Sequence, residues 1–265
     1  MVGVDGSAVG LEAVDWAAEE AARHGVPLQI VHVSTLETPA AESVVDAALE
    51  RAALGAPGAV VSSEVVTGAD PASELTERGR NAFAIVLGSR GLGGLAGLLV
   101  GSVSLATAAR ADCPVVVVRG DPAHRSDRFR AVILGIDAGE GSGTAARFAY
   151  REAHVRHCAL VAIHAGGTPV AEDPDQPTAV TGEAATDPVF GEGLHSLEVS
   201  YPEVVVDRRV TPEDARKALL AAASTADLLV VGARRRVGHF GLQLGLVNHG
   251  VLHHSPCPVA IVPQI

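Results

Sequence analysis

Aromatic side chains are scarce in this sequence: one Trp, two Tyr and five Phe amount to 3% of its 265 residues. That scarcity argues against an aromatic-rich sandwich core and favours small aliphatic residues packing helices closely onto a β-sheet. Only three cysteines occur, Cys113, Cys158 and Cys257. Their odd number, beside apolar strand-like runs, argues against a disulfide framework and for buried thiols. Long apolar runs are missing too, since "CPVVVVR" and "ADLLVVG" fall far short of a membrane span. The N-terminus lacks the basic and apolar regions of a signal peptide, so the expectation is a cytoplasmic chain without a membrane partner. Basic residues are outnumbered, with 20 Lys and Arg against 31 Asp and Glu and a net charge of −11, so nucleic acid is not expected as a partner. Finally, no G-x-x-x-x-G-K-[ST] occurs, which removes the ATPase-type phosphate loop and its lysine.

What is present is a duplication. "VGVDGSAVGLEAVDWAAEEAARHG" (2–25) aligns with "LGIDAGEGSGTAARFAYREAHVRH" (134–157), and "LQIVHVS" with "LVAIHAG", at an offset of 132 residues. Later segments keep step at 144: "AFAIVLGSR" matches "ADLLVVGAR", and both halves carry Cys-Pro-Val before a final apolar run. The difference lies in "GGTPVAEDPDQPTAVTGEAATDPVFGEG" (166–193), a loop candidate rich in Pro, Gly, Thr and acids. At 48% hydrophobic and 19% charged, the chain can bury two ordinary cores. The expected division is residues 1–120, a linker at 121–129 with Pro, charge and a break in periodicity, and residues 130–265.

Within each copy, short Val/Ile/Leu runs alternate with helical spacing. Val9, Ala13, Trp16, Ala17 and Ala21 mark one apolar face, and Asp5 and Ser7 stand where a cap belongs. Further helices are expected near 41–53, 70–81 and 102–111, and strands in "AVVSSEVVTG", "AIVLGS" and "PVVVVR". Strands apolar on both faces and joined through helices predict an α/β fold: two tandem doubly wound domains with parallel sheets covered by helices on both sides. Ligands then belong at the carboxyl ends of the strands, where strand order reverses. The last strands of the two copies are candidate edges, and pairing between the domains or with another chain is expected.

The stretch "GSRGLGGLAGLLVGS" (88–102) follows a buried strand and ends at a helix start. Glycines let backbone N–H groups approach an anion, and the helix start adds free donors and a positive dipole end, so this is phosphate-binding chemistry. Ser102 either donates to a phosphate or caps its own helix. "GLGGLA" also fits a dinucleotide fingerprint, but it follows the fourth strand rather than the first.

The spacing G88-x2-G91-x9-G101-S102, with "VGVDGS", "VHV" and "CPVVVV" in the same order, resembles the ATP-binding universal stress proteins, and the tandem arrangement resembles their two-domain actinobacterial type. The resemblance covers nearly the whole chain. It implies five strands per domain and adenine nucleotide, ATP above all, as the ligand. Gly3, Val4, Asp5 and Val33 would meet the adenosine part. Gly88, Ser89, Arg90, Gly91, Gly101, Ser102, Val103 and Ser104 would surround ribose and phosphates. Each has a rival role: Asp5 as a cap, Arg90 as a solvated charge. No acid cluster for a metal accompanies the loop, so Mg²⁺ would ride on the phosphates.

The second copy departs from this pattern. Asp137 matches Asp5, Gly135 matches Gly3, and Gly232 and Gly245 keep two glycines, yet Arg235 replaces the second glycine and Leu246 the hydroxyl residue. Ala165 stands for Val33. Arg234 and Arg235 could hold an anion through side chains instead. The expectation is binding in the first domain and a degenerate second site. Histidines such as His32, His164, His253 and His254 suggest inheritance of the repeat rather than zinc ligation. A nucleotide-dependent regulator of stress or dormancy leads; a weak ATP-hydrolysing or phosphate-transferring enzyme and a nucleotide-free partner-binding module are the alternatives. A homodimer beyond the intramolecular pair, an unknown protein partner and another adenine nucleotide remain open.

Overall fold

The computed structural model describes residues 1–36, 38–91, 100–137, 143–165, 191–234 and 244–264. Arg235, the loop glycines 93, 94 and 97, and nearly all of the 166–193 insertion lie outside them. In the first half, β1 (Val2–Val4), α1 (Ala8–His24), β2 (Leu28–Ser34), α2 (Pro39–Gly55), β3 (Val61–Thr67), α3 (Pro71–Arg78), β4 (Ile85–Gly88), α4 (Ser102–Arg110) and β5 (Val115–Val118) follow one another. The second half repeats the order as β6 (Ala131–Ile136), α5 (Gly143–Val155), β7 (Ala159–Ala165), α6 (Gly191–Ser200), β8 (Val206–Thr211), α7 (Ala215–Ala223), β9 (Leu228–Arg234), α8 (Leu246–His254) and β10 (Val259–Gln264).

Local chemistry sets the first helix. Ser7 caps α1 by accepting the Gly10 N–H at 3.0 Å, and Asp5 in turn accepts the Ser7 N–H at 3.0 Å. Ala13, Val14, Trp16, Ala17 and Ala21 then turn inward at helical spacing, with Arg23 and His24 at the negative end of the dipole.

The strands form a single ten-stranded sheet in the order β3-β2-β1-β4-β5-β10-β9-β6-β7-β8. Pairing is parallel within each half and antiparallel at the junction, where Val117 faces Val259 and Val115 faces Ile261. The fold is therefore the doubly wound α/β architecture expected, and the two candidate edge strands cover each other inside one chain. Both faces of the sheet carry a buried aliphatic core that runs through the two halves. Cys113, Cys158 and Cys257 are buried and free, and burial pushes their thiols up to about 11, 11 and 12.

The halves also lock through charge. Glu20, Arg23 and His24 of α1 meet Glu152 of α5, Arg156 just after it and Asp127 of the connecting segment. The offset of 132 makes Glu20 the counterpart of Glu152 and His24 that of Arg156, so each carboxylate takes the other half's cation. The His24 ring is buried, with Nε2 3.1 Å from Glu152 and 3.5 Å from Glu20. Burial alone would lower its pKa, but hydrogen bonds to and the charges of Glu152 and Glu20 prevail and raise it to about 9. The stabilisation this provides is complete below the unfolded value of about 6.5 and is lost as pH rises through about 9. Urea midpoints measured across that window should fall for the native sequence and stay flatter for His24→Gln.

Candidate functional site

A cavity of about 460 Å³ opens at the carboxyl ends of the strands, beside the reversal of strand order between β1 and β4. Eleven of the twelve residues expected at the first site line it: Gly3, Val4 and Asp5 from β1 and its exit, Val33 from β2, Gly88, Arg90 and Gly91 from the end of β4 and its exit, and Gly101, Ser102, Val103 and Ser104 at the start of α4. Ser89 is not in the lining. It is buried and braces the loop instead: its N–H donates to the Val118 carbonyl at 3.0 Å, and its own carbonyl accepts the Gly101 N–H at 2.7 Å. That second bond draws together two segments that are separated in sequence.

The glycines meet steric demands. A Cβ on Gly88 would lie 2.9 Å from the Val9 carbonyl oxygen, and one on Gly91 would overlap the Asp5 carboxylate. Ser104 Oγ donates to the Gly88 carbonyl at 2.8 Å and ties the end of β4 to α4. The capping alternative for Ser102 is not realised, because Gly101 occupies the cap position without any side-chain cap bond. Ser102 is the first helical residue, is exposed and lines the cavity, and the first-turn N–H groups have no partner within the helix. Asp5 is not the cap of α1, which is Ser7; one of its carboxylate oxygens accepts the Ser7 N–H, and the residue lines the cavity. Sequence reasoning missed the apolar wall of Val31, Pro71, Leu75, Leu87 and Val100. Val31 was within reach, because it shares a strand face with Val33.

The second half carries a matching cavity of about 480 Å³, lined by Gly135, Asp137, Gly232, Arg234 and Gly245, and also by Ala165, Leu246, Asn248 and Gln264. Arg235 falls outside the described residues. Asn248 donates to the Gly232 carbonyl at 2.9 Å, reproducing the tie made by Ser104. The differences fall where an anion would sit. Leu246 opens α8 with 92% of its surface exposed, Arg234 pairs with Asp137 at 2.9 Å, and the Gln264 amide lies over Gly232. Gln264 was not anticipated, as it follows the last recognisable motif.

His32 and His164 each place Nδ1 against the preceding strand's carbonyl, at 2.8 Å from Val4 and 3.2 Å from Ile136. Repeated bonds of this kind describe a structural histidine. Among the described residues, Glu20, His24 and Glu152 bring ligand atoms within 4.8 Å of one another, a cluster the sequence did not suggest. Arg156 touches both carboxylates and supplies the cation there.

The universal stress protein family model matches residues 1–119 and 128–263. The chain belongs to that family. Similar proteins include universal stress proteins of Mycobacterium tuberculosis, one 35% identical over 287 residues and another 32% identical over 286, each aligned with all of this chain and covering 96% of the relative. One from Mycolicibacterium smegmatis is 33% identical over 285 residues, with 99% of this chain and 96% of the relative aligned. Among solved structures, a universal stress protein of Archaeoglobus fulgidus shares the fold over 100% of this chain and 98% of its own at a TM-score of 0.68 and 21% identity. No described helix is long and apolar enough to cross a membrane.

Proposed function

We propose that this universal stress protein is an ATP-binding regulator whose working site is the cavity of the first half. The observation that carries the reading is convergence: residues from four separate sequence segments line one cavity at the switch point of the sheet, with an uncapped helix start on its wall. Backbone N–H groups at Ser102–Ser104 and the cation of Arg90 suit phosphate oxygens. The acceptor-only carboxylate of Asp5 suits the hydroxyls of a ribose. The apolar wall suits a base. Asp5 is the one carboxylate lining the cavity among the described residues, so Mg²⁺ would arrive on the phosphates.

Two features favour holding the nucleotide over turning it over. Among the described residues the cavity wall has no lysine, histidine or second carboxylate to serve as base or metal ligand, and Asp5 is already engaged by Ser7. Binding would act on the protein's shape or partner, with the sheet joining the halves as the connection. The second half is read as impaired for triphosphate, because Leu246 cannot donate where Ser102 can. Native mass spectrometry of the purified chain should show one adenine nucleotide retained, with multiple-turnover phosphate release absent. Sustained turnover would favour the enzyme, and failure to bind any adenine nucleotide would favour a partner-binding module.

A further inference from the structure

The second half's cavity keeps one end of the first cavity and changes the other. At the offsets of 132 and 144 residues, Ile163, Leu219 and Val231 stand on its wall where Val31, Leu75 and Leu87 stand in the first, so the wall read there as suiting a base stays aliphatic. The end framed by Gly232 and the start of α8 does not keep its chemistry. There Leu246 replaces Ser102, Asn248 replaces Ser104, and Gln264 stands at the position of Gly120. The free N–H groups of the first turn are common to α4 and α8, so they do not separate the two cavities.

Asn248 and Gln264 are 8% and 9% exposed, and both line the cavity. Each carboxamide spends its nitrogen on a backbone carbonyl: Asn248 Nδ2 donates to Gly232 at 2.9 Å and Gln264 Nε2 to Val262 at 3.4 Å. Those partners fix which end of each amide is which, because a carbonyl oxygen can only accept. The two oxygens left over, Asn248 Oδ1 and Gln264 Oε1, make no hydrogen bond among the described residues, and neither is sealed from solvent. Two acceptors therefore open onto the cavity at the end where the first half offers donors. A phosphate oxygen is itself an acceptor and gains no hydrogen bond from them, whereas a hydroxyl donates to either. The cation on the lining, Arg234, is held by Asp137 at 2.9 Å, so an anion meets a charge that is already compensated.

We propose that the second cavity binds an unphosphorylated nucleoside, its base against Ile163, Leu219 and Val231 and the hydroxyl that would otherwise carry phosphate donating to Asn248 Oδ1 or Gln264 Oε1. This orientation rests on the reading of the first cavity as a nucleotide site. The chain then holds nucleotide in one half and nucleoside in the other. Adenosine and AMP, which differ only at that hydroxyl, are the probes, titrated calorimetrically into the full chain carrying Gly101→Val so that the first cavity's phosphate end is blocked. Adenosine should bind, and AMP at least about ten-fold more weakly. Gln264→Leu removes one acceptor at similar size, and Asn248→Ser removes the other while restoring the residue that makes the same tie in the first half. Together they should erase the preference for adenosine, with the thermal midpoint confirming that the fold is kept. No adenosine binding in the Gly101→Val chain, AMP bound as tightly as adenosine, or a preference that survives the double substitution would overturn the proposal. ATP binding by the unsubstituted chain reads the first cavity separately. A chain that binds ATP but fails the adenosine test loses only this inference, and one that binds no ATP yet passes it loses only the first-half assignment.

Discussion

Replacing Arg156 with methionine is expected to destabilise the protein by about 3–5 kcal/mol, the usual consequence of removing one member of a buried ion pair. The side chain is 2% exposed, and it contacts Glu20 and Glu152, which are 7% and 0% exposed, together with Asp127. Methionine keeps an unbranched apolar stem but leaves two carboxylates without the guanidinium between them at the junction of the halves. Burial and the charge of Glu20 already push the Glu152 carboxyl up, so its proton uptake would soften the loss without removing it. Adding Glu20→Gln to Arg156→Met should recover a good part of the stability, because it removes the nearest uncompensated charge. Urea denaturation of the two variants measures this. A loss within the range of an exposed pair, below about 1 kcal/mol, would mean that the cluster is solvated and does not lock the halves.

Gly101→Val should leave the fold intact and weaken ATP binding at least about 100-fold. A Cβ at this residue has ordinary contacts, the nearest at 3.7 Å, and the backbone at φ −72° and ψ 152° suits a β-branched residue. The atoms around it are the Arg90 Cα, the Ser89 carbonyl and the Gly91 nitrogen, so the new side chain would stand between the two segments that frame the proposed phosphate position. Circular dichroism and the thermal midpoint should change little while calorimetry loses the nucleotide. The matched substitution Gly245→Val, with open space around the corresponding position, should leave ATP binding as it was.

Much of this architecture could be read before any coordinates, because duplication and period are properties of the chain itself. Strands such as Val115–Val118 are buried on both faces, and each is a run of aliphatic residues bounded by Pro or Gly. The Ser104 and Asn248 ties sit at equal spacing from Gly88 and Gly232, which the 144-residue offset already implied. What could not be read depends on contacts between elements distant in sequence. Nothing in "EEAARHG" shows that Glu20 and His24 will face Arg156 and Glu152 across a domain junction, since that follows from the antiparallel join of β5 and β10. Ser102 was ambiguous because hydroxyl residues at helix starts cap as readily as they bind, and only the position of Gly101 separates the two roles. Ser89 looked equivalent to its loop neighbours, yet a strand-end residue alternates faces, and this one turns inward.

The central claim is that the first half's cavity holds adenine nucleotide through the helix start at Gly101–Ser104. Isothermal titration of ATP into the full chain, beside its Gly101→Val and Gly245→Val variants, tests it most directly. The account predicts one site per chain, lost in the first variant and kept in the second. Absence of binding, two equivalent sites, or a titration indifferent to Gly101→Val would contradict it.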